Sequence, residues 1–138
     1  MTRKITRGQV RSTSLMILKQ QGGLCAVCKK PIDLSIKGEM CLDHSHEEGN
    51  VRGVLHRSCN SGLGKLDNAV GRWISKSMKY EDIIPMLENI LEYYKQPHHD
   101  IIYYNHLTED EKRIQRNARE RKRRAEVKAR AAVKAKRG

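Results

Sequence analysis

The sequence predicts a small α+β fold, in which a β-turn-β-helix unit is stapled by a metal ion, flanked by helices and followed by a basic C-terminal helix. Three observations predict it. Soft metal-ligating side chains come as two pairs, Cys25/Cys28 and His56/Cys59, each pair with two residues between its members. Between the pairs, two short β-forming runs flank a turn carrying Gly49 and Asn50. Beyond them, Ile83, Leu87, Ile90, Leu91 and Tyr94 recur at helical spacing.

A chain of 138 residues reads as one domain plus extensions. With 38% apolar residues, 32% charged residues and no Phe, it is poor in core-forming side chains. The folded body is therefore expected to be nearer about 100 residues, a size at which a metal staple supplies much of the stability.

The elements follow in order. Residues 1–9 are polar and basic and read as a loose arm. Residues 12–21 read as a short helix with Leu15 and Leu18 on one face, ended by Gly22-Gly23. The run Cys25-Ala-Val-Cys28-Lys-Lys-Pro31 has the pattern of a zinc knuckle, and residues 31–39 connect it onward. Residues 40–43 and 51–55 read as strands, 44–50 as their turn, and 57–66 as a helix with Asn60 one turn in. Residues 80–96 form a second helix, with Pro85 tolerable in its first turn. Residues 96–105 link it to a tail opened by a capping box, Thr108 with Glu111, and laced by the pairs Glu120–Arg124 and Glu126–Arg130. Four parts result: a basic arm and helix (1–21), a metal-bound core (22–67), a helical segment and linker (68–106) and a basic helical tail (107–138). No internal repeat is visible.

Charge is placed unevenly. The chain carries a formal +12. Residues 112–138 hold 13 Lys/Arg against 2 Asp/Glu, which leaves the rest nearly neutral. Such a block binds a polyanion, nucleic acid before an anionic membrane, or serves as a solvated solubility tail. Arg116, Arg119, Lys122, Arg123 and Arg124 are its candidate phosphate contacts, expected to give salt-dependent affinity and little sequence reading. Four cysteines as a disulfide framework would imply secretion. The longest apolar run near the N-terminus, residues 15–18, is too short for a signal peptide or membrane span, so metal-bound thiolates in a reducing cytoplasm are the expectation.

A structural zinc takes four N/S ligands in a tetrahedron, and Cys25, Cys28, His56 and Cys59 supply them. The competing reading is free cysteines acting as small buried hydrophobes. Cys41, between Met40 and Leu42, reads as a buried strand thiol and not a ligand. That leaves Asp43, His44, His46 and Asn60 without a structural role, unless they are further zinc ligands or plain loop residues. Their chemistry suits phosphodiester hydrolysis. His44 is able to take a proton from water near neutral pH, with His46 as a second imidazole. The Asp43 carboxylate and the Asn60 amide oxygen suit a hard divalent cation. His98, His99 and His106 read as surface linker residues, and Trp73 and the tyrosines as packing in preference to base stacking.

On these motifs, C-A-V-C, L-D-H-S-H, V-R-G-V-L-H-R-S-C-N and L-G, residues 22–66 resemble the phage recombination endonuclease VII family, within the HNH or His-Me finger (ββα-metal) nucleases. The resemblance implies a structural Zn2+, a catalytic Mg2+ held by Asp43 and Asn60, His44 as general base, His46 in phosphate contact and Arg52 in a phosphate or structural contact. It departs at His56, where the family has Cys. It implies a Mg2+-dependent DNA endonuclease leaving 5′-phosphate and 3′-hydroxyl ends, acting in the cytoplasm of an infected or lysogenic bacterium. Resolution of branched DNA by a homodimer, with the 83–94 face as interface or as core cover, is one expectation. A free-standing homing or nicking endonuclease is the alternative, and a non-catalytic zinc module for DNA is a third.

Overall fold

In the computed structural model, which describes residues 2–138, the chain divides into two compact units, Met1–Gln96 and Pro97–Gly138. The N-terminal arm is more ordered than its polarity suggests. The Gln9 side chain accepts a hydrogen bond from the Thr6 amide at 2.9 Å, and a 3-10 turn, Arg7–Gln9, runs straight into α1, Val10–Gln20. The helix therefore begins ahead of Ser12.

Strands β1, Met40–His44, and β2, Val51–His56, pair antiparallel, and α2, Arg57–Ala69, follows β2 without a loop. Asp43 lies opposite Gly53, yet His44 lies opposite Val51. Arg52 is thus the extra residue of a β-bulge. An unbroken register would point it away from the face that carries Asp43, and a bulge re-aims a side chain in this way.

The core is small. Leu18, Cys25, Ile32, Val54 and Leu55 form its buried centre, flanked by Ile17, Met40, Leu42 and Leu63. Gln21 stands in for a third strand: its side chain accepts from the Val54 amide at 2.8 Å and donates to the Val54 carbonyl at 2.9 Å. Gly53 permits this approach, since a Cβ there would come to 3.1 Å from Gln21 Oε1.

After α2 the chain makes a π-helical turn, Val70–Ile74, closed by the Ser75 amide on the Val70 carbonyl at 2.9 Å. Gly71 sits against Ser77, Met78 and Ile83, and a Cβ there would collide with the Met78 sulfur. Helix α3, Tyr80–Lys95, then buries Ile83. Pro85 is its sixth residue, not a first-turn residue as its chemistry led us to expect. The lost bond to the Glu81 carbonyl falls where both Glu81 and Pro85 are exposed to solvent. The face read from periodicity is only partly covered: Leu87 and Ile90 are half-buried, Leu91 and Tyr94 exposed.

In the second unit, α4 spans Glu109–Arg137 behind the expected capping box. Thr108 Oγ1 accepts from the Glu111 amide at 3.2 Å, and Glu111 accepts from the Thr108 amide at 2.7 Å. Glu120 pairs with Arg123 and Arg124 at 2.9 and 3.0 Å. Among the described residues no Glu126–Arg130 ion pair forms. No α4 residue is buried, so the helix rests on its own backbone bonds and caps.

Trp73 departs from the packing role expected of it: it is 76% exposed, with Lys76 Nζ 5.9 Å from its ring centroid. Of the tyrosines, Tyr80 alone is half-buried.

Candidate metal centre and catalytic turn

The first ligand pair hangs on a tight loop between α1 and β1. Gly22 and Gly23, at φ 68 and 78, end α1 and return the chain to Cys25. The Cys25 amide bonds the Lys30 carbonyl at 2.9 Å, the Lys29 amide bonds back to the Cys25 carbonyl at 3.0 Å, and Lys29 takes a left-handed φ of 61 to allow it. The Ala26 amide ties the loop to β2 through the Val54 carbonyl at 3.1 Å. The second pair comes from the β2–α2 junction, where His56 ends the strand and Cys59 lies in the first helical turn.

These four side chains converge. Their ligand atoms all lie within 4.8 Å of one another. The His56 Nε2–H donates to the Pro31 carbonyl at 2.9 Å, which turns Nδ1 toward the cluster, 3.2 Å from Cys28 Sγ. An anchored N–H with the other nitrogen facing soft donors is the usual arrangement of a zinc-ligating histidine. Burial opposes ionisation of Cys25. The amides of Cys28, His56 and Val27 and the His56 ring outweigh it and bring that thiol down to about 6. Burial, together with the neighbouring Cys28 and Cys25 sulfurs, pushes Cys59 up to about 11. His56 is raised, chiefly by its bond to Cys25 and then by Pro31. These opposite shifts show how closely the four groups are packed: ionising one thiol opposes ionising the next. Three thiolates and an imidazole at this spacing fit a structural zinc ion. Cys41 stays outside the cluster, its thiol raised by burial.

Asp43, His44 and His46 stand together where the hairpin turns. The turn is closed by the Ser45 amide on the Asn50 carbonyl and the Gly49 amide on the Ser45 carbonyl, both at 2.8 Å, with Gly49 at φ 77. Asp43 is 8% exposed, whereas His44 and His46 are both exposed, with ring centroids 5.3 Å apart. Asn60 is half-buried and follows Cys59 directly, so the metal cluster fixes the helical turn that carries its amide.

Sequence reading missed the surroundings of Asp43. Arg52 grips both carboxylate oxygens, Nε to Oδ2 at 2.8 Å and Nη2 to Oδ1 at 3.0 Å. Its Nη1 donates to the Tyr80 hydroxyl at 3.1 Å, and that hydroxyl donates to Asp67 Oδ2 at 2.9 Å. Glu47, in the hairpin turn, accepts from the Tyr80 amide at 2.8 Å and so caps α3. These partners lie up to 33 residues apart, and no local pattern announces them. Arg116, Arg119, Lys122, Arg123 and Arg124 are all exposed on α4, in the second unit.

The chain is thus an α+β fold in which a hairpin bearing an acid and two imidazoles leads into a helix pinned by a Cys3His cluster that fits zinc. The chain belongs to the recombination endonuclease VII family, whose model matches residues 2–96. It is accordingly a nuclease, with DNA as its substrate. The comparison with curated proteins gives no match. Among the described residues, no helix is long and apolar enough to cross a membrane.

Proposed function

We propose that the protein is a Mg2+-dependent DNA endonuclease that cuts branched DNA. The observation that carries this reading is the placement of Asp43, His44 and His46 on one hairpin turn beside a helix that presents Asn60. The Asp43 carboxylate and the Asn60 amide supply hard oxygen donors, which fit Mg2+ and are distinct from the soft cluster that fits zinc. When bound, Mg2+ supplies positive charge to the reacting phosphate and the leaving oxygen.

The rest falls to the chain. His44 takes the proton of a water molecule, whose oxygen attacks phosphorus. The bond to the 3′ oxygen breaks and that oxygen takes a proton from solvent, leaving a 3′-hydroxyl and a 5′-phosphate. His46 donates a hydrogen bond to a phosphate oxygen and orients it. Residues 22–67 serve as the catalytic core, 1–21 and 68–106 as its supports, and 107–138 as the DNA-holding tail.

The deciding experiment incubates the protein with a four-way junction or a linear duplex of the same sequence, with Mg2+ or EDTA. The expected result is Mg2+-dependent cutting confined to the junction. Selective cutting of the duplex would favour a homing or nicking enzyme instead, and binding without cutting a zinc module. A homodimer is part of the reading, supported by the uncovered Leu91 and Tyr94 on α3, and light scattering of the same sample reports it. The free thiols and their fit to zinc support a reducing, cytoplasmic setting.

On the tail, we expect Arg116, Arg119, Lys122, Arg123 and Arg124 to bind phosphates. Replacing all five by Gln weakens DNA binding at every sequence tested. It also lowers the log–log slope of affinity against salt by roughly 0.9 for each phosphate no longer neutralised. An unchanged slope would remove the tail from the interface.

A further inference from the structure

Arg52 has two stations. On one side its guanidinium meets the Asp43 carboxylate fork to fork, at 2.8 and 3.0 Å. On the other, Nη1 rests on the Tyr80 hydroxyl at 3.1 Å, and the guanidinium carbon lies 5.4 Å from the Tyr80 ring centroid. The Tyr80 proton is already given to Asp67 at 2.9 Å, so the hydroxyl offers Arg52 a lone pair made more basic by that carboxylate. The two partners differ in freedom: the Arg52 side chain is 37% exposed and that of Asp43 11%. The arginine is free to leave toward solvent, while the acid stays on its strand.

The carboxylate in question is the one read above as the ligand of the divalent cation. A guanidinium gripping both of its oxygens takes the lone pairs that the cation needs and repels it as a like charge. A DNA phosphate offers the same planar guanidinium an equivalent bidentate partner.

We propose that Arg52 is a positioning residue that occupies Asp43 as an internal cation in the DNA-free protein and, steadied by Tyr80 and Asp67, passes to a DNA phosphate when substrate arrives, freeing Asp43 for the divalent ion. Metal and DNA binding are thereby coupled: DNA raises metal affinity by removing a competitor, and the coupling is reciprocal. The β-bulge makes this possible, because it puts Arg52 on the Asp43 face. This rests on the reading of Asp43 as a cation ligand.

The test is a Mn2+ titration of the zinc-loaded, full-length protein without DNA, read as free Mn2+ by electron paramagnetic resonance. Asp43→Asn identifies the site by removing its binding. Arg52→Gln is expected to tighten Mn2+ binding roughly tenfold or more, the scale of a charge-assisted pair removed. Tyr80→Phe is expected to tighten it less, because Arg52 loses one of its three holds. Arg52→Lys keeps the charge without the fork and falls between wild type and Arg52→Gln. It also decides the matter if the Gln variant fails to fold.

Unchanged or weaker Mn2+ binding in both Arg52 variants, with Asp43→Asn still abolishing it, would overturn the proposal and leave Arg52 as a simple brace for Asp43. Mn2+ binding untouched by Asp43→Asn would instead overturn the reading of Asp43 as ligand, and the proposal with it.

Discussion

His44→Ala is expected to abolish DNA cleavage while leaving DNA affinity and the thermal midpoint close to wild type. His44 ends β1 with its ring in solvent, so truncation opens no cavity and orphans no buried partner. Stability therefore has little to lose. Activity does: a positioned base contributes about 100- to 10,000-fold to a hydrolytic step. Single-turnover cleavage of a junction, with binding by fluorescence anisotropy in parallel, separates the two effects. A variant that cuts within a few-fold of wild type would transfer the base to another group. His46 is the nearest candidate, with its ring centroid 5.3 Å away.

Loss of the zinc cluster is expected to unfold the body of the protein outright. The described residues bury only seven large or medium apolar side chains: Leu18, Cys25, Ile32, Val54, Leu55, Val70 and Ile83. One of these is itself a cluster residue. Structural zinc in small domains contributes on the order of 10–16 kcal/mol, comparable to or larger than the whole net stability of a typical domain. Cys28→Ser, or a strong chelator on the wild type, should therefore remove the cooperative thermal transition of the 1–96 unit. Metal content and circular dichroism measured together check this. The pH dependence has a definite sign. Protons compete with the metal for the thiolates and the imidazole, so zinc is held more weakly as pH falls. A zinc-free Cys28→Ser protein that still melts cooperatively near the wild-type temperature would show that the apolar core suffices.

Much of this was legible in the sequence because it is encoded locally. Paired ligands two residues apart, the Gly49-Asn50 turn, the β2–α2 junction and the Thr108/Glu111 box each specify their own neighbourhood. The strands and the ligand cluster appear where those signals put them. What escaped is set by contacts between distant segments. The π-helical turn is stabilised by the fit of Gly71 against Ser77 and Met78, and nothing in its own five residues requires that geometry. The Arg52–Asp43 fork exists because one residue is added to β2, and an alternating pattern does not reveal a bulge. Trp73 shows the reverse error: a large aromatic read as packing by type alone stands largely in solvent.

A histidine at position 56, and not a fourth cysteine, sets the charge of the cluster. With zinc bound, three thiolates and a neutral imidazole leave the Cys25/Cys28/His56/Cys59 site with a net single negative charge, where four thiolates would leave two. Asn60 directly follows Cys59, so this charge lies one residue from the amide proposed to hold the Mg2+ that acts on a DNA phosphate. His56 thereby halves the site's formal repulsion of DNA. Its Nε2–H, spent on the Pro31 carbonyl, keeps the ring oriented without adding charge.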